Sequence, residues 1–81
     1  MISNYINNKE ILAYNFLKVG ENVKISSNAV LIGSKNISLG NNVRIDDFVI
    51  IIAVNGKINI GNNVHIGSYN YINGSGGVDI G

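Results

Sequence analysis

A Gly-Asn-Asn-Val tetrapeptide, or a close variant of it, returns along this chain at a nearly fixed interval. Three segments align directly: Val19-Gly-Glu-Asn-Val-Lys-Ile25, Leu39-Gly-Asn-Asn-Val-Arg-Ile45 and Ile60-Gly-Asn-Asn-Val-His-Ile66, and a fourth opens at Ile80-Gly81. Their starts lie 20, 21 and 20 residues apart. A period of this size marks a repeat architecture, in which each unit buries its apolar faces only against its neighbours. Inside each unit an aliphatic residue comes back every six positions: Val19, Ile25, Leu31; then Leu39, Ile45, Ile51; then Ile60, Ile66, Ile72. Six is neither the helical period of about 3.6 nor the alternation of a plain strand. It describes a short strand, a corner and another short strand, so that three faces close one triangular coil.

The two or three residues left over in each repeat fall at one corner, around Ser34–Asn36, Asn55–Lys57 and Gly74–Gly77. These stretches are rich in Gly, Asn and Ser, which supply turn geometry and local hydrogen bonds. The Gly-Asn-Asn triplets form a second corner, since Asn tolerates left-handed backbone angles better than other non-glycine residues. Coils stacked at the strand spacing of about 4.8 Å bring Val23/Val43/Val64, Ile25/Ile45/Ile66 and Leu31/Ile51/Ile72 into inward ladders. Ten glycines and no proline suit a chain of tight turns in which every strand residue can donate to a ladder. The expectation is an all-β solenoid, a parallel β-helix of about three coils over residues 19–81. Residues 1–18 form a helical cap ahead of it. Asn7 to Phe16 reads as one short helix, capped by Asn7 or Asn8, with Ile11, Leu12 and Phe16 on the face that covers the first coil.

In this register the positions flanking the third inward aliphatic point outward and stack as Val30/Ile50/Tyr71 and Ile32/Ile52/Asn73, with Asn28/Phe48/Tyr69 beside them. A mostly apolar stripe where solvent-facing residues should be polar marks an interface. It is a packing surface between subunits, which is the favoured reading, a seat for the N-terminal helix, or a patch that is merely exposed. Asn70 is expected to face inward between the outward Tyr69 and Tyr71. Charge is sparse, with a net of +1, so no clustered Lys and Arg offer a nucleic-acid surface. Cysteine is absent and histidine occurs once, which leaves no Cys-ligated or multi-His metal site in one chain. The longest apolar run, Phe48 to Val54, is too short to span a bilayer. The segment Met1 to Lys9 lacks the pattern of a secretory signal, so the expected location is cytoplasmic. The sequons at Asn36 and Asn73 are then formal matches only.

The runs Ile37-Ser-Leu-Gly-Asn-Asn-Val-Arg-Ile-Asp-Asp-Phe48 and Lys57-Ile-Asn-Ile-Gly-Asn-Asn-Val-His-Ile66 resemble hexapeptide-repeat sugar O-acetyltransferases, with the maltose and galactoside acetyltransferase-like branch the nearest in pattern. The resemblance covers about residues 15–81. It implies a left-handed β-helix, which the repeat alone does not, since crossovers between parallel strands are usually right-handed. It also implies a homotrimer that moves an acetyl group from acetyl-CoA to a sugar or polysaccharide hydroxyl. A histidine would act as general base at a site between subunits. The subunit contact would run along Ile32, Phe48, Ile50, Ile52, Tyr69 and Tyr71. The sequence stops at Gly81 as a new coil begins, ahead of the histidine and the later coils that form the CoA groove in such enzymes. No residue within the chain matches that base. The expectation is the N-terminal portion of such an enzyme, inactive alone; the alternative is a catalytically inert assembly module. Three residues are candidates for substrate contact: Asp47, His65 and Tyr69. His65 lies outward between Val64 and Ile66, stacked on Lys24 and Arg44, and reads first as a surface residue in a polar ladder, second as a substrate contact and only last as a base. Asp46 and Asp47 adjoin at a corner and diverge, which suits corner hydrogen bonds better than an acid/base pair.

Overall fold

The Asn that ends each Gly-Asn-Asn or Gly-Glu-Asn corner turns the chain by taking left-handed angles: φ is 56° at Asn22, 59° at Asn42 and 60° at Asn63. The computed structural model describes residues 4–81, and in it these corners recur once per coil. Ten short strands result: β1 Lys18–Val19, β2 Lys24–Ile25, β3 Val30–Ile32, β4 Ile37–Leu39, β5 Arg44–Ile45, β6 Ile50–Ile52, β7 Ile58–Ile60, β8 His65–Ile66, β9 Tyr71–Asn73 and β10 Val78–Ile80. They assemble into three parallel sheets in the orders β1-β4-β7-β10, β2-β5-β8 and β3-β6-β9. The registers are those of the ladders: Ile25 pairs with Ile45 and Ile45 with Ile66, Leu31 with Ile51 and Ile51 with Ile72.

Inward residues from all three sheets meet in one core. Ile25, Ile37, Ile45, Ile51, Ile58, Val43 and Val49 are each less than 2% exposed. Between coils the corners are tied by amide ladders. Asn22 Nδ2 donates to Asn42 Oδ1 at 2.9 Å, and Asn42 Nδ2 donates to Asn63 Oδ1 at 3.0 Å. Asn41 Oδ1 accepts from the Glu21 N–H at 2.8 Å and Asn62 Oδ1 from the Asn41 N–H at 2.7 Å, so backbone donors that a turn would strand are satisfied one coil away. This close approach is why glycine precedes the pair. A Cβ on Gly40 would lie 2.5 Å from Asn62 Oδ1 and 2.7 Å from the Gly61 carbonyl carbon.

The third corner absorbs the uneven repeat. The step from Ile52 to Ile58 is one residue longer than the steps from Ile32 to Ile37 and from Asn73 to Val78, yet β4 and β7 still pair Ile37 with Ile58. In the first coil this corner is a short 3-10 turn, Ser34–Asn36. In the second, Gly56 tucks against the third coil so closely that a Cβ would clash with the Gly74 carbonyl oxygen.

The helix is shorter than the sequence suggested. α1 spans Asn8–Ala13, with Asn7 as N-cap in a reciprocal capping box with Glu10. Asn15, at φ 54°, ends it, so Phe16 lies outside and stacks on Tyr14 with ring centroids 5.2 Å apart. Of the three residues expected on one face, Ile11 is buried in the core while Leu12 is 70% exposed. Ahead of α1, an isolated antiparallel bridge from Tyr5 to Ser26 and a bond from the Ile6 N–H to the Ile25 carbonyl cover the open edge of β2. α1 and Val19–Lys24 of the first coil line the two sides of one cleft, away from the outward stripe. That stripe is bare: Val30 and Ile32 are 46% exposed and Tyr71 60%, so the helix does not seat there. Asn70 occupies the ladder position of Ala29 and Val49 in the last coil, and its amide donates to the Gly67 carbonyl at 2.9 Å.

Candidate functional site

Polar chemistry gathers where β5 and β8 run into their following corners. Arg44 pairs with His65 in the parallel register of β5 and β8, so both side chains leave the same outer face. Asp46 follows two residues after Arg44 and emerges on that face as well, as strand alternation requires. Its side chain is only 12% exposed. Arg44 Nε donates to Asp46 Oδ1 at 3.1 Å, and His65 Nε2 lies 2.7 Å from Asp46 Oδ2. Arg44 Nη2 also stands 2.8 Å from His65 Nε2. One ring nitrogen cannot donate and accept at once. The carboxylate is the stronger partner, which assigns the proton to Nε2 and leaves Nδ1 as the ring's remaining nitrogen.

Partial burial pushes the Asp46 carboxyl upward. The hydrogen bond from His65, the His65 charge, and the charge and N–H of Arg44 together outweigh it, holding the carboxyl below its usual value of 3.8. A depressed acid stabilises the fold where it is ionised in both states, above the unfolded value. That contribution is lost as pH falls through the lower folded value. Thermal melts of the native chain and Asp46→Asn should therefore differ at neutral pH and converge in strong acid. A gap that stays constant from pH near neutral down to about 2 would show that the carboxylate charge is not what Asp46 contributes.

Around the corner, Asp47 takes a different set of partners. Ser26, which is buried, donates its hydroxyl to Asp47 Oδ1. The same hydroxyl oxygen accepts from the Asn28 N–H at 3.0 Å, and Asn28 Nδ2 reaches Asp47 Oδ1 at 3.5 Å. Next along are Phe48 and Tyr69, stacked with centroids 5.5 Å apart and planes 21° from parallel. Thus Asp47, His65 and Tyr69 share one edge of the solenoid without bonding to one another. Asp47 holds the corner; His65 is joined to Asp46, not Asp47; Tyr69 lies on Phe48. The Asp46–His65 pair was missed by sequence reasoning, although the signal was present: the i, i+2 spacing of Arg44 and Asp46, and the register that lays His65 over Arg44. Among the described residues, no group of three or more His, Asp or Glu stands close enough to hold a metal ion. No helix among them is long and apolar enough to cross a membrane.

No protein-family model matches the sequence. Individual proteins do. A dTDP-4-amino-4,6-dideoxy-D-glucose acyltransferase of Escherichia coli is 47% identical over 76 residues, which is 94% of this chain and 40% of that enzyme. The backbone superposes with a TM-score of 0.81 on AntD, an N-acyltransferase from Bacillus cereus solved with dTDP and 3-hydroxybutyryl-CoA; identity is 40%, covering 98% of this chain and 42% of AntD. A variant of AntD bound to dTDP-4-amino-4,6-dideoxyglucose and coenzyme A gives 0.78 at 41% identity, over 88% of this chain and 36% of that one. The chain thus spans about two-fifths of the length of the relatives it matches. Repeat, register and likeness agree on the architecture: the chain is a left-handed parallel β-helix, similar over nearly all of its own length to part of these acyltransferases.

Proposed function

We propose that these coils are the N-terminal part of an acyl-CoA-dependent transferase whose acceptor is the amino group of a nucleotide-linked sugar. The observation that carries this reading is identity of 40–47% to enzymes described by that chemistry, maintained through coils whose register is intact. The resemblance in the sequence implied acetyl transfer to a hydroxyl; the N-acyltransferases among the relatives are the reason for choosing an amine here. An unprotonated amine attacks the thioester carbonyl, the tetrahedral intermediate expels the CoA thiolate, and the proton released from nitrogen is taken up by a base or by the departing thiolate. In this reading the Asp47, His65 and Tyr69 edge faces the acceptor, and the CoA groove and the base come from coils further along. The protein works in the cytoplasm, where acyl-CoA donors are made, and as a homotrimer packed through Ile32, Phe48, Ile50, Ile52, Tyr69 and Tyr71. The exposure of that row, against the polar surface a lone solenoid would present, supports the trimer.

A chimera tests the reading. Residues 1–81, joined in register to the part of AntD that the chain does not cover, should release CoA thiol when given acyl-CoA and dTDP-4-amino-4,6-dideoxyglucose. The 81-residue chain alone should not. A folded chimera that binds acyl-CoA but transfers nothing to the amine would favour the other reading, a β-helix module that assembles without catalysis.

A further inference from the structure

Asn is followed directly by Gly at two places, Asn55-Gly56 in the corner between β6 and β7, and Asn73-Gly74 at the end of β9. Such a pair carries its own chemistry, because glycine lacks the Cβ that would shield the preceding side-chain amide from the backbone nitrogen. The two pairs are held very differently. At Asn73 both reacting groups are occupied. The Gly74 N–H donates to the Ile52 carbonyl at 2.8 Å. Asn73 Oδ1 accepts from the Ser75 N–H at 3.0 Å, and its Nδ2 donates to the Tyr71 hydroxyl at 3.2 Å. At Asn55 neither group is tied. Among the described residues, no acceptor takes the Gly56 N–H and no partner holds the Asn55 amide; the Asn55 carbonyl alone is engaged, by the Gly76 N–H at 3.3 Å. Asn55 is also exposed. Its glycine is imposed by the fold, since a Cβ on Gly56 would clash with the Gly74 carbonyl oxygen.

We infer that Asn55-Gly56 is a site of spontaneous covalent modification, where asparagine converts to aspartate and isoaspartate, while Asn73-Gly74 is protected. The Gly56 nitrogen gives its proton to solvent and forms a bond to the Asn55 Cγ, closing a cyclic imide. The Cγ–Nδ2 bond breaks, and Nδ2 takes up a proton and leaves as ammonia. Water then adds to one imide carbonyl and breaks its bond to the ring nitrogen. Opening at Cγ gives aspartate; opening at the backbone carbonyl carbon gives isoaspartate, with the chain running through Cγ. Nothing is oxidised or reduced, and water is the sole co-reactant. Either product replaces a neutral amide with a carboxylate, which removes the formal net charge of +1. Isoaspartate also lengthens the backbone by one carbon. The step from Ile52 to Ile58 already carries one residue more than its counterparts while Ile58 stays paired with Ile37 and Val78, so the coils survive the change. Charge changes with age; the solenoid does not.

The test is incubation of the full chain at mildly alkaline pH, folded in buffer and unfolded in urea. Peptide mapping with electron-transfer fragmentation then locates the modified residue and separates isoaspartate from aspartate. In the folded chain, conversion at Asn55 should outpace that at Asn73 by at least about tenfold, since the Asn73 pair must first release three hydrogen bonds. In urea those bonds are gone and the two rates should come together. Isoelectric focusing should show an acidic species growing at the rate of Asn55 conversion and missing from Asn55→Gln over the same period. That species should melt with the fresh chain. The inference is overturned if folded chain converts Asn55 no faster than Asn73. It is overturned equally if the preference for Asn55 persists undiminished in urea, which would assign it to flanking sequence and not to the fold. An acidic species that melts far below the fresh chain would refute the tolerance of this corner.

Discussion

Replacing Ile45 with Ala is expected to cost about 3–4 kcal/mol, a large part of what an 81-residue chain has. Ile45 is fully buried and lies midway in the Ile25/Ile45/Ile66 ladder. The coils on either side are held by backbone bonds, from the Ser26 N–H to the Ile45 carbonyl at 2.9 Å and from the Asp46 N–H to the Ile66 carbonyl at 3.0 Å. Those bonds fix the coil spacing, so the cavity cannot close by drawing neighbours together, and the loss sits in the middle of the range for such truncations. Ile32→Ala removes the same atoms from a position that is 46% exposed and should cost far less. Urea midpoints of the two variants provide the comparison. Equal midpoints would mean that the coils do not share a continuous core.

Ile50→Arg should have the opposite profile, leaving the fold intact and dispersing the assembly. Ile50 pairs with Val30 and Tyr71 in the β3-β6-β9 sheet, at the middle of the outward apolar row. In the proposed trimer, a charge placed there is desolvated without a partner at each of the subunit contacts, at a cost of about 2 kcal/mol or more per contact. Sedimentation velocity should show the native chain as a concentration-dependent oligomer and the variant as a monomer, with unchanged far-ultraviolet dichroism. A native chain that stays monomeric at high concentration, or a variant that sediments like it, would move the subunit contact elsewhere.

The coils were legible in the sequence because a solenoid writes its contacts locally. Each ladder partner is the same residue type one repeat away, so aligning Gly-Asn-Asn-Val was equivalent to aligning β2, β5 and β8. The same logic located the outward row and laid His65 over Arg44. What escaped was whatever depends on direction rather than position. Asp46 looked like a corner residue because it follows inward Ile45, and its turn toward Arg44 and His65 is a matter of side-chain aim. Phe48 and Tyr69 gave no sign of left-handed backbone, since nothing in an aromatic residue favours it and Asn28 before them does not share it. The helix was read too long at Asn15, where a residue that could continue a helix instead takes the left-handed angle that ends one.

The corner between Ile52 and Ile58 accepts an additional residue without moving any inward side chain on either side of it. It works as an expansion joint. A residue inserted within Gly40–Ile45 or Ile45–Ile51 would shift every later position by one and send the ladder outward, whereas one inserted between Ala53 and Lys57 is confined to the surface. This corner is where chains of this kind can change length from one repeat to the next, carrying loops or grafted segments while the threaded core keeps its pitch.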